Sequence, residues 1–60
     1  MGEKLKAARK AAGLTQGQLA EKVGCKQKDI SRYESGLHEP GARILKKMAQ
    51  VLGCSMDDLV

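Results

Sequence analysis

Gln27, Lys28, Ser31, Arg32 and Ser35 follow one another at spacings of one and three residues. At about 100° per residue, a helix gathers all five within an arc of about 140°. Their shared chemistry is hydrogen bonding rather than catalysis. A glutamine carboxamide pairs with adenine N6 and N7, an arginine or lysine with guanine O6 and N7, and a serine hydroxyl with several base edges. On an anonymous amphipathic helix the same residues would be an ordinary solvated face, so their surroundings decide. Catalytic chemistry finds little here. His38 is the single histidine, and Cys25 and Cys54 form no Cys-x-x-Cys pair. Cys and His therefore cannot assemble a four-ligand zinc site. The chain offers no Ser–His–Asp arrangement and no glycine-rich phosphate loop, so we expect no enzyme, no metal and no cofactor.

The rest of the chain must hold that face in place with few residues. Sixty residues make one domain, residues 1–60, which buries only about 60% of the surface its unfolded chain exposes. Apolar residues are 42% and charged residues 30%, too apolar a mixture for a disordered tail. Val, Ile, Thr and Tyr together supply seven residues while Ala and Leu supply fourteen, which favours helices over strands. The net charge of +4 calls for a polyanionic partner, a nucleic acid or an anionic membrane surface. No stretch approaches the ~20 apolar residues of a membrane span. Gly2–Lys10 is too charged for a signal peptide. Two cysteines are a sparse disulfide framework, so we expect reduced thiols and a cytoplasmic protein.

Glycines divide the chain into helices. In Glu3–Ala12, Leu5, Ala8, Arg9 and Ala12 form a narrow stripe that includes an arginine, and Gly13 suits the stop. Thr15-Gln16-Gly17-Gln18 reads as a capping box, with Leu14 placed to staple against Leu19. The second helix, Gln16–Val23, faces the core with Leu19, Ala20 and Val23. Gly17 within it costs about 1 kcal/mol against alanine. The third helix runs from Lys26–Gln27 to Ser35, with Ile30 and Tyr33 inward. After a loop at Leu37–Gly41, a fourth helix covers Ala42–Leu52, with Ile44, Leu45, Met48, Ala49 and Leu52 as its apolar stripe. Ser55 is placed to cap a fifth, Met56–Val60, with Asp57 and Asp58 in its first turn. The expected fold is thus all-α, a compact five-helix bundle. Its second and third helices, joined by Gly24-Cys25-Lys26, form a helix-turn-helix.

Leu14-Thr15-Gln16, Leu19-Ala20, Val23-Gly24-Cys25 and Ile30-Ser31-Arg32-Tyr33-Glu34-Ser35-Gly36 stand in order. Pro40, Leu45, Met48-Ala49, Leu52-Gly53 and Asp57-Asp58-Leu59 follow. Over Gly2 to Val60 this series resembles the lambda-repressor-like helix-turn-helix domain, of the phage repressor/Cro or xenobiotic-response-element type. The resemblance implies sequence-specific binding of double-stranded DNA by a transcriptional repressor or regulator, with the third helix in the major groove. It implies that Gln16 sits by a phosphate, and that Lys26, Gln27, Lys28, Ser31 and Arg32 face the groove. It also implies a buried pair, Arg9 with Glu34, between the first and third helices. Lys26 departs from the usual Ser/Thr cap, Gly41 from a similar cap, and Glu39 puts a negative charge in a loop that normally approaches phosphate.

So small a reading head contacts few base pairs. Strong specificity then needs two copies on a palindromic site, with half-sites about 34 Å apart. Met56, Leu59 and Val60 are the expected contact of a weak homodimer, being apolar and terminal. The alternative is a protein-interaction module, antitoxin-like or coactivator-bridging, that uses the same bundle to hold another protein.

Overall fold

The computed structural model describes residues 2–59. Four α-helices follow in order: α1 Gly2–Ala11, α2 Gln16–Val23, α3 Gln27–Ser35 and α4 Ala42–Leu52. A single 3-10 turn, Met56–Asp58, ends the described chain. No helix among the described residues is long and apolar enough to cross a membrane.

Local chemistry sets these boundaries. Thr15 Oγ1 accepts from the Gln18 amide at 3.0 Å, and Gln18 Oε1 accepts from the Thr15 amide at 2.9 Å, closing the capping box of α2. Gly24 stops the helix at φ +88°, a left-handed conformation that side chains other than glycine rarely adopt. Its N–H and that of Cys25 both donate to the Ala20 carbonyl, at 2.8 and 2.9 Å. The chain is thereby turned sharply and re-enters a helix three residues later. Lys26 has no side-chain acceptor for the start of α3. Asp29 does part of that work, accepting from the Lys26 N–H at 3.3 Å.

The five-helix expectation fails at the C-terminal segment: the described residues form four α-helices. Asp58 carboxylate accepts from both the amide and the hydroxyl of Ser55, at 3.2 and 3.1 Å. The Asp58 and Leu59 amides donate three residues back, to Ser55 and Met56. That bonding is 3-10, and it closes one turn. A segment this short cannot offset the cost of nucleating an α-helix on its own. Val60 lies outside the described residues.

One core joins the elements. Leu5, Leu19, Ala20, Val23, Ile30, Leu45, Met48, Ala49 and Leu59 are buried together. The α3 helix packs on both α1 and α2, α4 packs on α2, and the 3-10 turn packs on α4. At the start of α1, a Cβ on Gly2 would overlap the Glu34 carbonyl and stand 2.9 Å from that of Tyr33. Gly2 therefore lets α1 abut the end of α3. Leu59 is fully buried, which corrects its assignment as a contact between copies: the 3-10 turn aims it into the core. Met56, by contrast, is exposed.

Leu59→Ala should lower the unfolding free energy by about 2–5 kcal/mol, the range for deleting a buried leucine side chain. Urea denaturation followed by circular dichroism measures it. An unchanged midpoint would remove Leu59 from the core.

Candidate nucleic-acid interface

Two helices build one open trough on the surface. Gln16 from the first turn of α2 and Gln27, Lys28, Ser31 and Arg32 from α3 line it together. The outer face of α3 is polar because its inner face is committed: Ile30 is buried and Tyr33 packs against the core. Gly17 lies at the seam between the two helices. A Cβ there would lie 3.5 Å from Gln27 Oε1, in ordinary contact, so the Gln27 carboxamide rests beside the start of α2. No carboxylate lines the trough. Two cations, two carboxamides and a hydroxyl give a surface of positive field that presents hydrogen-bonding groups.

A smaller hollow adjoins it, lined by Lys6, Gln16, Ser31, Glu34 and Ser35. Ser35 therefore sits beside the trough, and its hydroxyl donates within the helix to the Arg32 carbonyl at 3.0 Å. Lys26 is exposed at the N-cap of α3 and lies off the trough. Lys6 lines this hollow from α1 and is not among the site residues expected from the sequence. The available signal was its place on α1, three residues before Arg9 and four after Gly2, on the flank that meets α3.

Beneath the hollow lies an ion pair. Arg9 Nε donates to Glu34 Oε2 at 2.6 Å and Arg9 Nη2 to Oε1 at 3.2 Å. The two side chains are 9% and 4% exposed. Arg9 Nη1 also donates to the Leu14 carbonyl at 2.8 Å, in the turn between α1 and α2. Glu34 Oε1 accepts a further bond, from Gln16 Nε2 at 3.2 Å. No buried side-chain nitrogen or oxygen among the described residues is without a partner.

On the inner side of α3, Cys25 and Tyr33 both titrate above their usual ranges. Burial is the main cause for each, and the negative charge of Asp29 adds to it. Both free cysteines pack partly buried against the core. The Cys25 thiol is held in its unreactive neutral form.

Comparison with known proteins agrees with this geometry. A family profile described as helix-turn-helix matches residues 5–59. The chain is 36% identical over 59 residues to an uncharacterized SPbeta prophage-derived HTH-type transcriptional regulator, YonR, of Bacillus subtilis, covering 98% of this chain and 55% of the relative. It is 38% identical over 56 residues to a putative multi-protein-binding factor 1 of Yarrowia lipolytica, covering 93% of this chain and 37% of the relative. The chain thus spans about half or less of these relatives. Among solved structures, the P22 c2 repressor in complex with a synthetic operator superposes with a TM-score of 0.93 at 34% identity, covering 98% of this chain and 89% of that one.

Three outcomes follow from the packing. Arg9→Ala and Glu34→Ala should each cost about 3–5 kcal/mol by leaving a buried charge unpaired, a loss comparable to the whole stability of so small a domain. Arg9→Met combined with Glu34→Leu should keep most of the parent's stability, since an apolar pair leaves no orphaned charge. Gly17→Ala should raise stability by up to about 1 kcal/mol, because the helix gains propensity and the new methyl group has room. Denaturation midpoints of the variants test each, and a destabilised Gly17→Ala would show that the seam is tighter than the geometry says.

Proposed function

The chain belongs to the helix-turn-helix family, and we propose that it binds double-stranded DNA sequence-specifically, as the DNA-binding part of a transcriptional regulator or repressor. The observation that carries this reading is the trough itself. It gathers side chains that pair with base edges from two helices, with no carboxylate to repel phosphate. Relatives named as HTH-type transcriptional regulators, and the likeness to a repressor bound to its operator, support it. In this reading α3 enters the major groove, where Gln27, Lys28, Ser31 and Arg32 meet base edges. Gln16 and the first turn of α2 approach a phosphate, with the positive end of the helix dipole behind them. Lys26 contacts the backbone from the turn, and Ser35 lies near it. The domain catalyses nothing and works in the cytoplasm, where reduced thiols are at home.

Two copies act on a palindromic site. Of the terminal apolar residues, Leu59 is in the core and Val60 lies outside the described residues, so Met56 is the one with exposed surface to offer. A patch that small holds only a weak dimer away from DNA. The name of the Yarrowia lipolytica relative favours a second reading, a module that binds other proteins. The two readings differ in salt dependence: log K for DNA should fall steeply with log salt in the first.

Selection of bound sites from random DNA tests the proposal, followed by Arg32→Ala on the selected site and on random DNA. Arg32→Ala should cost about 1–3 kcal/mol on the selected site and relax preference at one position. Lys26→Ala should weaken all sequences alike and lower the salt slope by about 1. An equal loss of Arg32→Ala on both DNAs would restrict Arg32 to phosphate. Recovery of no preferred sequence would favour the protein-binding reading.

A further inference from the structure

Gln16 reaches the trough with its carboxamide already tethered. Its Nε2 donates at 3.2 Å to Glu34 Oε1, the same oxygen that Arg9 Nη2 holds at 3.2 Å. Glu34 is itself fixed, because Arg9 Nε grips its other oxygen at 2.6 Å and its side chain is almost wholly buried. We propose that Glu34 is a positioning residue for DNA contact, which holds the Gln16 carboxamide in one orientation at the edge of the trough before DNA arrives.

The chemistry supports a fixed orientation. A free glutamine carboxamide on a surface rotates and flips between its oxygen and nitrogen ends. A carboxylate accepts only, so the end that faces Glu34 must be the nitrogen. One N–H is thereby engaged; the second N–H and Oε1 stay available to a phosphate oxygen or to a neighbouring donor. The bond is charge-assisted on the acceptor side, which strengthens it over a neutral one. Arg9 balances the carboxylate, so the tether brings no net negative charge toward DNA. Ordering Gln16 in advance removes part of the entropic cost of binding. The same arrangement ties the contact on α2 to α3 and, through Arg9, to α1, so the three helices share one positioning centre.

This inference rests on the DNA-binding reading above, and the experiment separates the two. On the selected DNA site, affinities are measured for the parent, Gln16→Ala, the apolar pair Arg9→Met with Glu34→Leu, and the triple variant, all at a temperature where each is folded. Gln16→Ala should weaken binding about tenfold. The apolar pair should weaken it about threefold to tenfold, by freeing Gln16. The triple variant should bind no more weakly than Gln16→Ala, since with Gln16 gone Glu34 has nothing left to position. A merely structural ion pair would instead add its loss in the triple variant, and that result overturns the proposal. So does an unchanged affinity of Gln16→Ala in a protein that otherwise binds DNA. Nitrogen-15 relaxation of the Gln16 side-chain amide in the DNA-free parent needs no variant: it should be as ordered as the α2 backbone, and a freely rotating amide overturns the proposal. A parent that binds no DNA brings down the DNA-binding reading itself.

Discussion

Arg9 and Glu34 meet at 2.6 Å with less than a tenth of either side chain exposed. A buried ion pair of this kind is poor evidence of net stability, since stripping water from both charges costs about as much as their attraction returns. What it does confer is geometry. Arg9 satisfies the Leu14 carbonyl in the turn before α2 and clasps a carboxylate near the end of α3. Three helices therefore have one set of relative positions in which every buried donor and acceptor near the pair is satisfied. Any slip between α1 and α3 leaves a charge without a partner. The close approach of Gly2 to the Glu34 carbonyl, which has no room for a side chain, acts on the same joint from the other end of α1.

Around this joint the core is economical. Leu5, Leu19, Ile30, Met48 and Leu59 are the large side chains fully withdrawn from water; each of the four α-helices contributes one, and Leu59 follows the 3-10 turn. In so small a domain, no helix is stable on propensity alone; α2 and α3 are each shorter than the ~12–15 residues an isolated helix needs. Their stability comes from packing, and the short turn at Gly24 and Cys25 fixes the angle at which they pack. The trough lined by Gln16, Gln27, Lys28, Ser31 and Arg32 is a consequence of that angle.

Features carried by local rules were legible in the sequence. The Thr15 to Gln18 capping box, the glycine stops and the inward stripes of α2 and α4 each follow from neighbours along the chain, and all are present in the structure. Of the features that depend on a partner distant in sequence, the Arg9–Glu34 pair was expected through the family resemblance and is present; others were not legible. Leu59 turns into the core, so the terminal segment that looks like a helix with an exposed apolar edge is a 3-10 turn followed by a buried anchor. Periodicity over five residues cannot tell these apart, because the deciding contact is made with α4. The place of Lys6 was not legible for the same reason: its neighbours in the hollow come from α2 and α3. Gln16 lines the trough from the start of α2, as the capping box places it, but its bond to Glu34, eighteen positions away, was not legible.

The separation of duties within α3 explains why architecture is easier to read here than specificity. Ile30 and Tyr33 face the core, and Glu34 serves the ion pair. Gln27, Lys28, Ser31 and Arg32 bury nothing that the fold requires, since all four are exposed. Substitutions at exposed positions of this kind usually change stability by less than about 0.5 kcal/mol. The same four positions can thus take many combinations of side chains on an unchanged scaffold, each combination presenting a different set of donors and acceptors. The physical constraints that make the bundle predictable fall on the inner face of the helix. The pattern presented outward is set by whatever it must recognise.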